Sequence, residues 1–393
     1  MALFPVSFFI ILLHVLIGVR VLPALADVTP LWPFLALALL VSAVTMPLPF
    51  LGRSGSRWKV PGWIKWTGLI SMGWFSSLFI LTVVRDLTLL GAWTLSSLGW
   101  VALDWEMWRD QSAVAVPLAA AVVSLVGFWN ARRTASVKRV DVPIPKLPTS
   151  LAGFTIAQLS DIHVGPTIRV GYIERIVKSV NKLGADMVAI TGDLVDGTVP
   201  ELQAHIAPLS QLKARHGTFV VTGNHEYYAG ATAWIDELRR LGLHVLLNEH
   251  VVLQTRNVRG AQTEEEVHES ALVVAGVTDF TAGHFDKTQA SDPEGAVRDA
   301  PPQVHTRLLL AHQPRSAIAA AQAGYQLQLS GHTHGGQFFP WNLFVPLQQP
   351  FTAGLHRLHD MWIYVSRGTG YWGPPKHFGA PSEITLLRLV RAP

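Results

Sequence analysis

Cysteine is absent from the 393 residues, so a disulfide framework, a thiolate metal site and a cysteine nucleophile are all closed to this chain. Charge is scarce as well. Asp, Glu, Lys and Arg make up 15% of the residues, well below the ~25% of an ordinary soluble domain. Hydrophobic residues reach 49% and tryptophan occurs 14 times, too apolar a mixture for one soluble globule. There is no RNA- or DNA-reading motif and no internal repeat. The formal charge of +4 therefore does not call for a nucleic-acid partner, because many basic residues flank apolar runs, where anionic lipid headgroups account for them. The scarcity is also uneven. Most long apolar runs lie before about residue 130, and nearly all the Asp, Glu and His lie after it.

Four apolar stretches, residues 3–22, 31–51, 66–84 and 113–129, meet the length of roughly 20 residues needed to cross a bilayer. No basic segment precedes the first, and three more follow it, so a cleaved signal peptide does not explain it. Trp58, Trp63 and Trp66 border the third run, and the tryptophan-rich loop 85–111 is expected to lie partly along the interface. Arg53, Arg57, Lys59 and Lys65 separate the second run from the third, and Arg132, Arg133, Lys138 and Arg139 follow the fourth. An even number of crossings separates these basic segments, so the positive-inside rule places both in the cytoplasm. The expectation is a multi-pass inner-membrane protein with membrane lipids as partners and a large cytoplasmic C-terminal part.

The domain reading is a transmembrane helical region at 1–131, a basic, proline-rich linker at 132–150 and a second domain at 151–393. The linker ends in "VDVPIPKLPTS", which reads as an extended spacer. Beyond it, short apolar strand-like runs alternate with amphipathic helices at 170–183, 201–215, 231–241 and 315–323. That alternation argues for a layered α/β or αββα domain. The polar, acidic stretch 255–270 reads as a variable loop between two strands.

The polar residues of this domain fall at strand ends. "QLSDIHVG" closes a strand with Asp161 and His163, "AITGDLVDG" with Asp193 and Asp196, and "VVTGNHEYY" with Asn224 and His225. "LLLAHQP" ends on His312, and "LQLSGHTHGGQ" on His332 and His334, flanked by glycines that let the backbone turn tightly. Singly, each has an ordinary role: Asp161 or Asp193 as a helix cap, Asn224 in a turn, His312 as a hydrogen-bonded core histidine. Ligands in α/β sheets gather beyond the carboxyl ends of strands, and five strands deliver metal-capable groups there. Two buried carboxylates side by side repel unless cations sit between them, so a pair of divalent metals resolves the cost.

The ordered series "DIH", "GDLVD", "GNHE", "AHQP" and "GHTHGGQ" resembles the calcineurin-like metallophosphoesterase superfamily, and its "GNHEYY" and "GHTHGGQ" forms are similar to the membrane-associated bacterial branch. The resemblance covers roughly residues 154–389 and implies a four-layer αββα sandwich, here preceded by an all-α transmembrane region of about four helices. By motif position it implies Asp161, His163 and His334 on one metal, Asn224, His312 and His332 on the other, and Asp193 bridging both. His225 becomes the catalytic histidine, oriented by Asp196, and Asn224 also contacts the charge that develops on phosphate. The implied reaction is phosphodiester or phosphoanhydride hydrolysis by a hydroxide bridging two divalent ions, with Mn, Fe, Zn, Co and Ni all open. A phosphoester substrate follows, a lipid-linked one being attractive for a membrane-anchored enzyme. Arg367 in "SRGTGYWGPP" is a candidate anion contact, a surface arginine in a turn being the plain alternative. Two rival functions are a non-catalytic membrane receptor for a phosphorylated ligand and a transporter. The first need not keep His225, and few charges lie inside the spans to build a polar pathway for the second.

Overall fold

A computed structural model describes residues 3–51, 60–257, 268–304 and 306–392. Arg53, Arg57 and Lys59, used above for orientation, lie outside the described residues, as does the 258–267 part of the polar insertion. The chain divides into two units: Met1–Arg132 with Gly373–Phe378, and Arg133–Trp372 with Gly379–Pro393.

The first unit is helical: α1 Leu3–Val28, α2 Trp32–Thr45, the short α3 Leu48–Leu51, α4 Gly62–Ser97 and α5 Trp105–Arg132. Pro47 and Pro49 separate α2 from α3 by removing backbone donors. Among the described residues, four span-length apolar segments result, at Pro5–Val28, Trp32–Phe50, Gly62–Ser97 and Trp105–Arg132. The helices run longer than hydropathy alone marks. In particular, Arg85 to Ser97 is not a loop along an interface but the last part of α4. The reason is that Arg85 is satisfied inside the unit: Nε donates to Ser112 Oγ at 2.9 Å, Nη1 to the Arg20 carbonyl at 3.2 Å and Nη2 to the Arg109 carbonyl at 3.1 Å. The segment Gly373–Phe378 belongs to this unit too. Lys376 Nζ donates to the Gly73 carbonyl at 2.7 Å and to the Ser77 hydroxyl, and the His377 amide donates to the Gly127 carbonyl at 2.9 Å. A Cβ on Gly127 would stand 2.6 Å from Lys376 Cγ, so glycine is needed for the lysine stem to pass.

The second unit contains β1 Ser136–Ile144, β2 Thr155–Leu159, α6 Val170–Asn181, β3 Met187–Thr191, α7 Val199–Ile206, β4 Thr218–Val221, α8 Asn224–Ala229, α9 Ala231–Arg240 and β5 His244–Val245. It continues with β6 Glu249–Asn257, β7 His268–Gly276, β8 Arg307–Leu310, α10 Ala317–Gln322, β9 Leu327–Ser330, β10 Gly354–Leu358, β11 Met361–Val365 and β12 Glu383–Arg391. Among the described residues two six-stranded sheets form, in the orders β1-β12-β2-β3-β4-β5 and β10-β11-β9-β8-β7-β6. Residues 136–144, read from sequence within a linker, are therefore a strand, β1, parallel to β12. Alternating apolar residues earn it a place in the sheet, and Pro143 is tolerated because β1 is an edge. The 201–215 helix is also shorter than its pattern suggests: α7 passes into a 3-10 turn, Ala207–Gln211, that holds Pro208.

The sheets pack face to face. Ile156, Met187, Ala189, Phe219 and Val221 of one join Leu272, Val274, Leu308, Leu310 and Leu329 of the other in a single core cluster. Each Val, Leu, Ile, Phe or Met side chain among them, withdrawn from water, contributes about 1.5–3 kcal/mol. The intervening residues Ala157, Leu159, Val188, Ile190 and Val220 are buried on the opposite face, the side of the crossover helices α6, α7 and α9. On the second sheet, Val273, Ala275, Leu309 and Ile363 pack with Ala317 and Ala320 of α10. This is the four-layer αββα sandwich. Strands β2, β3 and β4 run parallel, as do β8 and β9, so the two sheets direct their carboxyl-end turns to one rim.

Candidate metal centre

Each strand-end turn delivers its side chains within a few residues of its last ladder bond. Three groups come together: Asp161, His163 and His334; His163, Asp193 and His225; and Asp193, His312 and His332, with ligand atoms within 4.8 Å of one another in each. His163 Nε2 stands 3.0 Å from His334 Nε2, which is 3.5 Å from Asp161 Oδ1. His332 Nδ1 stands 3.2 Å from His312 Nε2. Asp193 Oδ2 lies between the clusters, 3.1 Å from His312 Nε2, 3.8 Å from His163 Nε2 and 4.0 Å from His225 Nε2. Seven of the eight residues that the motifs assign to metal or to His225 converge, together with Asp196; the eighth, Asn224, is buried at the start of α8, directly before His225.

The backbone is bent to achieve this. Asp161, His163, Asp193, His332 and His334 have φ of 52°, 55°, 53°, 71° and 50°, in the left-handed region that side chains avoid. Each costs of order 1–3 kcal/mol and is held by its surroundings. Glycines make room: a Cβ on Gly223 would lie 2.2 Å from Asp193 Oδ1, and one on Gly331 would lie 2.1 Å from Asp161 Oδ2. Glu226, buried at 1% exposure, grips the Asp193 turn. Its Oε1 accepts from the amides of Leu194 at 2.7 Å and Val195 at 3.3 Å, and its Oε2 from Gly223 at 2.6 Å and Asp193 at 3.0 Å. Sequence reasoning gave Glu226 no role. Its place three residues after the glycine that opens α8, where a carboxylate reaches back to free amides, was the available signal.

The imidazoles are oriented by their second nitrogens. His312 Nδ1 donates to the Thr191 carbonyl at 2.8 Å, leaving the Nε2 lone pair for the cluster. Asp196 Oδ1 takes both His163 Nδ1 at 2.9 Å and His225 Nδ1 at 2.6 Å. One carboxylate thus sets the direction of a candidate ligand and of the candidate acid together. Around His225 stands an aromatic rim, with Tyr228 at 5.4 Å and Trp372 at 6.1 Å between ring centres. Arg367 is paired with buried Glu383, Nη1 to Oε2 3.5 Å, beside Gly335 of the histidine-bearing turn.

Charge in the cluster is divided unevenly. Burial raises the Asp161 pKa, outweighing His312, and Asp193 adds to the rise. Burial opposes ionisation of Asp193 too, but His312, His225 and His163 hold it well below the usual carboxylate range. Burial works against the His163 cation, yet Asp196, Asp193 and Asp161 raise it to about 9. His332 goes the other way, pushed down to about 3 by burial and by His312. Burial and the adjacent Asp193 raise Glu226 to about 7. Divalent cations suit this set. The donors are imidazole, carboxylate and amide oxygen, and Asn224 Oδ1 is buried with no hydrogen-bond partner among the described residues. A cation satisfies that oxygen and relieves the competition between carboxylates.

The chain is similar to known proteins. A family model described as calcineurin-like phosphoesterase matches residues 154–336. A transmembrane protein with metallophosphoesterase domain from Bos taurus is 41% identical over 281 residues, covering 70% of this chain and 62% of that protein. The chain thus spans less than two thirds of that relative's length. A metallophosphoesterase of Aquifex aeolicus is 30% identical over 255 residues, covering 64% of this chain and 91% of that one. The crystal structure of calcineurin-like phosphoesterase YfkN from Bacillus subtilis aligns at 14% identity and a TM-score of 0.40, over 56% of this chain and 82% of that one. With four span-length apolar helices preceding the sandwich, the chain is a membrane-associated member of the calcineurin-like metallophosphoesterase family.

Proposed function

We propose that the chain is a multi-pass membrane phosphohydrolase that uses two divalent metals, with its catalytic unit on the cytoplasmic side. Asp161, His163 and His334 would hold one ion, and Asn224, His312 and His332 the other. Asp193 stands between them, and its Oδ2, within 4.0 Å of three imidazoles, is the observation that carries the reading. Divalent ions bound there would supply Lewis acidity toward a water and the phosphate oxygens. The chain's own residues do the rest. Asn224 and the histidine turns fix where the phosphate oxygens rest. His225, held by Asp196 at 2.6 Å and turning Nε2 toward the cluster, gives its proton to the departing oxygen. The aromatic rim of Tyr228 and Trp372 suits an organic substituent on phosphate, which favours diesters or anhydrides over simple monoesters. A lipid-linked phosphoester fits a chain fixed in the bilayer.

The test takes the full chain, purified and loaded in turn with Mn, Fe, Zn, Co and Ni. Bis(p-nitrophenyl) phosphate should turn over faster than p-nitrophenyl phosphate with at least one metal. Folded, metal-loaded protein inert toward diesters, anhydrides and lipid extracts would overturn the enzyme in favour of a phosphate-binding receptor. A reporter fused after Pro393 that is active only outside the inner membrane would reverse the topology.

A further inference from the structure

Directly after the histidine turn the chain runs "FFPWNLFVPL", residues 338–347, with no charged residue between Gln337 and Gly354. Short 3-10 turns, Trp341–Leu343 and Val345–Leu347, fold this stretch. Phe339, Trp341, Leu343, Phe344 and Leu347 are 54, 45, 61, 50 and 80% exposed. Isolated exposed apolar residues need no explanation, but five large ones within nine positions form a patch, and such patches mark an interaction surface.

The root of the loop points to the partner. Gln337 Nε2 donates to the Trp372 carbonyl at 3.0 Å, and the Trp372 amide donates to Gln337 Oε1 at 2.9 Å. Phe338 forms an antiparallel bridge with Gly379. Trp372 and Gly379 are the residues from which the chain departs to, and to which it returns from, the Gly373–Phe378 segment of the helical unit. Both ends of that excursion are therefore hydrogen-bonded to the base of the apolar loop. Aromatic and aliphatic residues without charge, in a chain that also carries span-length apolar helices, have the composition of a bilayer-interface anchor. Trp372, 42% exposed, extends the same character to the His225 rim.

We propose that residues 339–347 insert into the headgroup–acyl boundary of the bilayer, so that phospholipid borders the rim of the metal cluster. The proposal stands on the membrane association of the helical unit and is independent of whether the site hydrolyses anything.

The lack of cysteine makes the test direct, because one introduced thiol is the only labelling site. Leu343→Cys and Leu347→Cys in the full chain are labelled with a bimane fluorophore and reconstituted in phosphatidylcholine–phosphatidylglycerol nanodiscs. Asp360→Cys, on a fully exposed side chain of the same unit, is the aqueous reference. Metal content equal to that of the parent shows that each variant is folded. Expected is several-fold stronger quenching by shallow doxyl-labelled lipid at 343 and 347 than at 360, with the reverse order for iodide. Iodide quenching equal to that at 360, without doxyl quenching, overturns the proposal in favour of an aqueous loop. Protection from both quenchers that fades as protein is diluted in lipid overturns it in favour of a second copy of the chain.

Discussion

Glu226 is where one substitution separates the scaffold from the chemistry. Glu226→Gln keeps the side chain's size but turns one oxygen into a nitrogen. Each oxygen now serves two buried amides, Gly223 and Asp193 on Oε2, Leu194 and Val195 on Oε1. Whichever way the amide sits, two backbone donors face a third donor. An unpaired buried donor costs about 1–3 kcal/mol, so the pair costs about 2–6 kcal/mol. That is a large part of the roughly 5–15 kcal/mol that holds a domain together. A cheaper exit exists, because Asp193 stands at φ 53°. Letting the turn relax releases strain of order 1–3 kcal/mol and frees the amides to find water, at the expense of moving Asp193 off the cluster.

The expected result is a folded protein that binds metal poorly. If displacing Asp193 removes about 3 kcal/mol of coordination, affinity falls roughly 100-fold, since about 1.4 kcal/mol is tenfold. The assay is equilibrium dialysis of the full chain against graded Mn, followed by elemental analysis and by the metal-induced rise in Tm. It is run above pH 8, because burial and Asp193 raise the Glu226 pKa to about 7 and the carboxylate must be ionised. Glu226→Asp keeps the charge but reaches fewer amides and should fall between. Parental stoichiometry and Tm rise in Glu226→Gln would refute the claim that this carboxylate shapes the turn.

Three further outcomes follow from the same geometry. His225→Ala should keep parental metal content while kcat falls about 10²–10⁴-fold, the usual worth of a proton donor; unchanged turnover removes His225 from the chemistry. Asp193→Asn should lose both metal and turnover, because the Oδ2 nearest three imidazoles no longer carries charge. Retention of two equivalents of metal there would show that Asp193 does not bridge. For chelated protein, the sign of the pH dependence is fixed by His163, raised to about 9, and His312, raised well above its ordinary value. A raised histidine pKa contributes stability that is complete below the unfolded value near 6.5 and is lost as pH climbs through the folded one. For His163 that amounts to about 3 kcal/mol, so Tm should drop between pH 6.5 and 9, and saturating Mn should flatten the slope. A chelated Tm that rises across that window contradicts the charge assignment.

The chemistry was more legible in the sequence than the scaffold. Asp161, His163, Asp193, Asn224, His225, His312, His332 and His334 stand out because each follows an apolar strand run, and the structure gathers the Asp and His residues among them. What period and composition conceal is pairing at a distance. Nothing local in "SVKRVDVPI" says that it will lie beside residues 383–391, so its proline and those that follow read as a spacer. Arg85 reads as the end of a span because its partners Ser112, Arg20 and Arg109 come from other helices. The Gly373–Phe378 excursion hides for the same reason, since Gly73 and Gly127 become a lysine slot only after two helices meet.

The left-handed turns explain why this rim must come from two sheets. A single parallel sheet offers its strand ends in a row about 4.8 Å apart, too widely spread for the clustered Asp and His side chains to meet. Facing sheets bring Asp161 and Asp193 from one side against His312, His332 and His334 from the other, so that opposite turns close a cage. The strain at Asp161, His163, Asp193, His332 and His334 is the cost of turning short polar side chains back across the sheet gap. Packing between the sheets offsets it, which ties the metal centre to the core beneath. A cavity there, such as Leu310→Ala at about 2–5 kcal/mol, should therefore lower metal affinity as well as Tm, although Leu310 touches no ion. Loss of stability with undiminished metal affinity would show that the turns hold their shape without the core.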